Sequence, residues 1–307
     1  MSSVHPLIAL LFFPGGLFLI VLALAYEWGD RKLVARFENR IGPRWFQTLA
    51  DIVKLLVKEE IMPTTANRLL FGMLPVVAMA GVLTAALYVP LFGFKAAFSF
   101  QGDLIVTLYL LSLLTMCIGM AGWNGTSRFS VLGATRALTQ LFSYEAPFML
   151  ALLGPAVVAG SWQIGQIIAA HDGRWILLTQ PLGFVVAIIG LMGKLEMPPF
   201  DAPKAKSEIV GGALTEYSGR GLGFFHLSKT MELVVGLTLV AALYMGGIAN
   251  PVEFFVKTLV LLVILASLHC ILTRLRIDQT VGIWWRYGAV LVLLQWLVLI
   301  AWKGLTT

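Results

Sequence analysis

The sequence predicts an all-α integral membrane protein with about eight transmembrane helices and a short amphipathic interfacial helix. Three observations predict it. The 307 residues are 59% hydrophobic and only 12% charged, whereas soluble domains average roughly 45–50% apolar and about 25% charged residues. Several apolar runs reach the ~20 residues that carry a helix across ~30 Å of hydrocarbon. The connections between those runs alternate between rich and poor in Lys and Arg, the pattern of a chain threaded repeatedly through a membrane. The excess apolar surface then has lipid to cover it, and residues 1–307 form a single transmembrane domain.

The spans are predicted at 7–26, 69–92, 104–122, 133–159, 176–194, 223–248, 254–273 and 284–302. Before the first run, Leu7 to Tyr26, no basic residue occurs, and no small-residue cleavage motif follows it, so it reads as a retained helix and not a signal peptide. Pro14, Pro75, Pro147 and Pro155 fall inside spans, where neighbouring helices can satisfy the backbone groups that proline frees.

Connection 27–68 carries Arg31, Lys32, Arg36, Arg40, Arg44, Lys54, Lys58 and Arg68, and connection 123–132 carries Arg128. Connection 195–222 carries Lys204, Lys206 and Arg220, with Lys194 at its edge. The last connection carries Arg274 and Arg276, with Arg286 just inside the final span. The intervening connections hold only Lys95 and Arg174, with Lys257 just past the third. The positive-inside rule therefore puts the basic connections in the cytoplasm and both termini outside a multi-pass protein of the cell membrane. It also accounts for the net charge of +6 as topology, with no nucleic-acid partner needed.

Two cytoplasmic connections are too long for turns. Within 44–62, Trp45, Phe46, Leu49, Ile52, Val53 and Leu56 recur at helical spacing, with Asp51, Lys54 and Lys58 mostly off that face. This predicts an amphipathic helix, either lying at the interface or packed on the bundle. The loop 195–222 is acidic, with Glu196, Asp201, Glu208 and Glu216, and Glu232 follows just inside the next span. Pro198, Pro199 and Pro203 make its start rigid and non-helical.

Ionisable residues inside spans are costly and are functional candidates by default. Arg136 and Glu145 share the fourth span; nine residues make two and a half turns, so they point to nearly opposite faces and need separate partners. Lys229 and Glu232, three apart in the sixth span, are placed to pair with each other. His269 has no second histidine nearby and reads as a packing residue, not a metal ligand. Cys117 and Cys270 lie far apart in apolar segments, too few for an iron–sulfur cluster. No Walker loop, dinucleotide fingerprint or nucleophile elbow occurs, and Ser143 beside Glu145 has no positioned histidine. The residues alone thus define a membrane bundle with buried carboxylates, an acidic loop, and no catalytic, metal or cofactor site of its own.

Three segments carry a family resemblance. Asp30-Arg31-Lys32, then Arg40-Ile41-Gly42-Pro43, then Ala50-Asp51-Ile52-Val53-Lys54 through Lys58-Glu59, resembles the start of the complex I membrane subunit that borders the quinone chamber, the NADH dehydrogenase subunit 1 family. Ala121-Gly122-Trp123, Leu132-Gly133-Ala134-Thr135-Arg136, Gln140 and Ser143-Tyr144-Glu145 resemble its middle helix. Pro199-Phe200-Asp201-Ala202-Pro203, Ser207-Glu208-Ile209-Val210 and Thr215-Glu216-Tyr217-Ser218-Gly219 resemble its acidic loop.

The resemblance implies a non-catalytic subunit that anchors a peripheral redox arm to an ion-pumping membrane arm and couples electron transfer to proton or sodium movement. It implies ion-coupling roles for Glu145, Arg136, Asp201, Glu208 and Glu216, with Lys229 and Glu232 beside them. It further implies a surface for the peripheral arm around Arg31, Lys32, Arg40, Asp51, Lys54, Lys58, Glu59, Glu196, Lys204 and Lys206. The pattern also departs from the quinone-reducing members. Gly42-Pro43 leads through Arg44-Trp45-Phe46-Gln47-Thr48-Leu49 directly to Ala50-Asp51, without their longer Gly-, Pro- and Leu-rich stretch. Glu196-Met197-Pro198-Pro199 is shortened and lacks their Arg; Lys204 and Lys206 stand where acids are usual, and Lys229 where Glu is common.

These departures resemble the relatives in group 4 nickel–iron hydrogenases and membrane-bound sulfane sulfur reductases. That branch implies ferredoxin as electron donor to the complex, hydrogenase-like large and small subunits, an iron–sulfur subunit and antiporter-like membrane subunits as partners, with nickel–iron and iron–sulfur centres held by those partners. The alternatives are a quinone-site subunit of a quinone-reducing complex I, a purely structural anchor, and an independent secondary transporter, for which no paired broken helices in inverted repeats are seen.

Overall fold

The computed structural model describes residues 11–13, 15–171 and 173–306, with side chains as far as residue 301. Among the described residues every regular element is helical. In chain order these are α1 (Gly16–Phe37), α2 (Gln47–Val57), α3 (Arg68–Tyr88), α4 (Asp103–Trp123), α5 (Arg128–Ala159), α6 (Ile164–His171), α7 (Pro181–Leu195), α8 (Lys206–Ile209), α9 (Gly219–Tyr244), α10 (Pro251–Ile271), α11 (Ile277–Ile283) and α12 (Ala289–Thr306). Single 3₁₀ turns at Ile176–Leu178, Ala202–Lys204 and Gly212–Leu214 punctuate the loops, and a π turn, Trp284–Gly288, joins α11 to α12.

Among the described residues, six helices are long and apolar enough to cross a membrane: α3, α4, α5, α9, α10 and the continuous stretch Ile277–Ala301. They correspond to six of the eight predicted spans. Of the first span, residues 7–10 and Pro14 lie outside the described residues. Its helix α1 does not stop at Tyr26 but runs on to Phe37, because nothing breaks it before Asn39 (φ 58°) and Gly42 (φ 74°). Glu27, Asp30, Arg31 and Lys32 therefore sit on a rigid helix and not in a connection. The fifth span, predicted from 176, starts only at Pro181, which supplies the fixed φ of a first helical residue and has no N–H to donate backwards. Its 15 residues rise ~22 Å, less than the ~30 Å of a hydrocarbon core.

Helix α9 is the axis of the bundle: 94% of its apolar window is buried, against 33% for α10 and 22% for the last stretch. It packs on α1, α2, α3, α7 and α10, while α5 packs on α4, α7 and α12. The acidic loop docks onto α5 through glycines. A Cβ on Gly133 would collide with the backbone nitrogen of Ala213 and the carbonyl carbon of Gly212, and Gly212 itself has φ +66° with Pro203 O beside it. Gly133→Ala must push rigid backbone aside. Overpacking of this kind costs about 1–3 kcal/mol or more, and the expected result is a lowered melting temperature of the purified protein, with Gly165→Ala, in open space, as the neutral control.

Helix α2 is amphipathic, but its apolar face is largely uncovered. Ile52 and Thr48 are buried, whereas Trp45, Phe46, Leu49, Val53 and Leu56 remain exposed. Asp51, expected away from the packed face, instead meets Arg31 of α1 at 3.0 Å.

Candidate functional site: a buried succession of charges

The charged residues of the loop and of α5, α7 and α9 fall into one buried group and three peripheral ones. The buried group begins where α7 ends. Glu196 caps that helix in the left-handed conformation (φ 52°), which turns its side chain inward until it is only 3% exposed. Two lysines close on it: Lys229 Nζ of α9 at 2.5 Å and Lys204 Nζ of the loop at 3.1 Å from Oε2. Burial alone would raise the Glu196 carboxyl, but the two ammonium groups hold it down to about 2, from an ordinary 4.5. A carboxyl lowered by folding stabilises above its ordinary value and loses that contribution as pH falls towards the folded one. Thermal stability is therefore expected to fall between about pH 4.5 and pH 2 through this residue, and Glu196→Gln should flatten that part of the melting-temperature profile.

One turn along α9, Glu232 is fully buried, with neither carboxylate oxygen hydrogen-bonded. It lies within electrostatic reach of Lys194, Lys229 and Glu196. Lys194, in the last turn of α7, is 1% exposed, and its Nζ is 3.9 Å from Glu145 Oε2 and 3.5 Å from Ser112 Oγ. The rings of Phe148 and Tyr144 lie 5.9 and 6.0 Å from that ammonium, close enough for cation–π attraction. Ser112 of α4 hydrogen-bonds Glu145 Oε1. Acid and base thus alternate from the loop into the bundle: Lys204, Glu196, Lys229, Glu232, Lys194, Glu145. Gln140 of α5 donates to Gly193 O (3.0 Å) and Phe200 O (2.8 Å), pinning the α7 end and the loop to α5 around this succession.

The other predicted residues stand apart from it. Arg136 faces away from Glu145, as nine residues require, and donates to Glu208 (2.6 Å) and Ala202 O (3.4 Å). Asp201 takes a two-pronged hydrogen bond from Arg274, one prong at 2.7 Å. Glu216 accepts from Thr126 N (2.8 Å), Ser127 N (2.5 Å) and Thr126 Oγ1 (2.9 Å), so it satisfies the N-terminus of α5.

Two expectations are corrected. Lys229 binds Glu196 and not Glu232, because Glu196 turns inward at the end of α7 and meets the ammonium directly. Glu196, predicted on the partner-arm surface, is enclosed. The remaining surface residues are exposed or half-buried: Arg40, Lys54, Lys58, Glu59 and Lys206 face outward and Lys32 is intermediate. Lys194 and Ser112 were missed as site residues. The signal for Lys194 was its place after the apolar run Gly190-Leu191-Met192-Gly193, inside the helical period and not beyond it.

A further group of charges surrounds a cavity of about 300 Å³ between α1, α9 and the start of the loop. Its walls include Glu27, Asp30, Arg31, His226, Lys229 and His269. Arg31 joins Glu27 to Asp51, and His226 Nε2 lies 4.0 Å from Glu27. Against the upward push of desolvation, hydrogen bonds from Arg31 and Gln47 hold the Asp51 carboxyl below its ordinary value. Among the described residues, no cluster of three His, Cys, Asp or Glu is arranged to hold a metal ion.

Six helices of membrane-crossing length with a succession of paired charges enclosed between them identify a multi-helical membrane protein that holds ionisable groups inside its bundle. Residues 8–301 match the family model described as NADH dehydrogenase, and the chain belongs to that family. It is 34% identical over 295 residues to a subunit of the NADH-quinone oxidoreductase of Dehalococcoides mccartyi (strain CBDB1), covering 92% of this chain and 83% of the relative. It is 31% identical to the corresponding NADH-quinone oxidoreductase subunit from Carboxydothermus hydrogenoformans, over 88% and 81% of the two chains. Among solved structures, a chain of the membrane-bound sulfane sulfur reductase (MBS), described as an archaeal respiratory membrane complex, superposes with a TM-score of 0.85 at 24% identity, covering 92% of this chain and 96% of that one. At that identity the likeness shows a shared fold.

Proposed function

We propose that this chain is a membrane-arm subunit of a complex I-like energy-converting complex, that it anchors the peripheral redox arm, and that it couples electron transfer there to proton or sodium translocation. The observation that carries this reading is the alternating succession from partly exposed Lys204, through enclosed Glu196, Lys229, Glu232 and Lys194, to Glu145. Glu196 and Glu232 each lie between two ammonium groups and Glu145 ends the succession beside Lys194, so a change of charge at the loop alters the proton or cation occupancy favoured at the next position along it. Arg136–Glu208 and Asp201–Arg274 hold the loop in place, and Glu216 clips it to α5. The short fifth helix and the first helix, taken with the six long ones, make up eight crossings, with α2 lying at the interface on its exposed apolar face and the basic connections in the cytoplasm.

The donor is ferredoxin, and the partners are hydrogenase-like or sulfur-reductase-like peripheral subunits, an iron–sulfur subunit and antiporter-like membrane subunits. The test is reconstitution of the native complex in sealed vesicles, driven by reduced ferredoxin. The reading expects proton or sodium uptake in step with electron flow; electron flow without ion uptake overturns it.

The charged cavity between α1 and α9 favours a second reading, a quinone-site subunit, as do the names of the relatives. Quinone reduction by the purified complex, abolished by filling that cavity with Thr230→Trp, would establish it in place of the first.

A further inference from the structure

A cleft of about 530 Å³ runs between α7, α10, the loop after α10 and the end of α11, walled by Phe184, Ile188, Ile264, Leu268, Leu275 and Ile283 among others. Its walls are almost entirely hydrocarbon, and it opens sideways past exposed Val185 and Leu272. At the loop end it adjoins a second pocket of about 440 Å³, which shares Leu275 and Ile283 with it and adds Asp278, Gln279, Arg286 and Tyr287. Arg286 and Asp278 are both exposed, and among the described residues neither makes an ion pair, although they face the same pocket. Arg286 belongs to the π turn, between Trp285 (56% exposed) and Tyr287 (65% exposed). Exposed Trp and Tyr flanking an arginine, here where the apolar run 284–302 begins, mark the headgroup level of a bilayer.

An apolar cleft open to lipid, leading to one cation and one anion held apart at headgroup depth, has the chemistry of a zwitterionic phospholipid. We propose that this is a binding site for a glycerophospholipid with a primary-amine headgroup: one acyl chain fills the cleft, the phosphate sits on Arg286, and the ammonium on Asp278. Arg286 suits the phosphate because a guanidinium offers several donors in one plane. Asp278 sets the choice of headgroup, since it attracts an ammonium and repels a purely anionic lipid. The alternative occupant of such a cleft is a helix of a companion subunit, which has no need of the unpaired charges at its mouth.

The test uses the full complex in nanodiscs of defined composition, mixing phosphatidylethanolamine with phosphatidylglycerol, followed by detergent delipidation and mass-spectrometric counting of retained lipid. The wild-type complex is expected to retain phosphatidylethanolamine in preference to phosphatidylglycerol by about fivefold, the factor that one charge at a membrane surface supplies. Arg286→Gln should lower total retained phospholipid about fivefold. Asp278→Asn should keep the phospholipid but lose the preference. Leu268→Trp, which fills the cleft and leaves both charges in place, should expel the lipid. Retention unchanged in Arg286→Gln and Leu268→Trp overturns the proposal, as does a companion helix occupying the cleft in the assembled complex.

Discussion

Glu145→Gln should lower ion translocation per electron by about a hundredfold, the lower end of what a positioned proton-transfer group contributes, while electron transfer through the peripheral arm persists. The geometry gives the reason. Glu145 ends the succession, 3.9 Å from Lys194 and hydrogen-bonded by Ser112, and glutamine preserves its shape while removing its charge and its exchangeable proton. Lys194 then keeps no carboxylate on its inner side. Ser112→Ala removes only an orienting hydrogen bond and should act in the same direction more weakly. Simultaneous measurement of ferredoxin oxidation and ion uptake in vesicles checks both. Uptake unchanged in Glu145→Gln would remove that residue from the pathway and favour the purely structural anchor.

The second large effect is on stability. Glu196→Gln leaves Lys229 and Lys204 facing each other without their shared counter-ion, and Lys229→Met leaves enclosed Glu196 with Lys204 alone. Breaking a buried pair by removing one partner costs about 3–5 kcal/mol, whereas replacing both partners by groups of similar volume can be nearly neutral. Glu196→Gln should therefore be the more damaging of the two, because two cations stay behind. The double substitution Glu196→Gln with Lys229→Met should recover much of the loss. Melting temperatures of the three variants in one detergent decide this: a double variant as unstable as the sum of the singles would mean that the pair is not coupled.

Much of the bundle was legible in the sequence because apolar run length is a direct reading of hydrocarbon thickness. The spans that became α3, α4, α5, α9, α10 and the last stretch needed nothing else. The fifth was overlong in prediction because hydropathy treats Ile176–Leu178 and the run after Pro181 as one segment, whereas a proline at 181 starts the helix anew. The site was legible as a list of charged residues and less so as a set of pairs. Helical spacing correctly separated Arg136 from Glu145, a question internal to one helix. It misassigned Lys229, whose partner Glu196 arrives from another element through a left-handed cap that hydropathy and periodicity do not register. Lys194 was hidden for a related reason: a lysine at a span edge reads as topology, and only the packing of α7 against α5 turns it inward.

The π turn at Trp284–Gly288 sets the phase of everything after it. An ordinary α-helix advances ~100° per residue, and a π turn holds one residue more than an α turn, so α12 is rotated like a clock hand moved on by one such step relative to α11. Gln295 depends on that setting: it accepts from Gly183 N and donates to Gln180 at 3.1 Å, and Trp296 beside it reaches Leu150 O at 3.0 Å. Deleting one residue from 284–288 would keep the helix long enough to cross and yet turn this amide towards the acyl chains, leaving Gln180 and Gly183 without their partner. The length of this segment is therefore constrained more tightly than its composition.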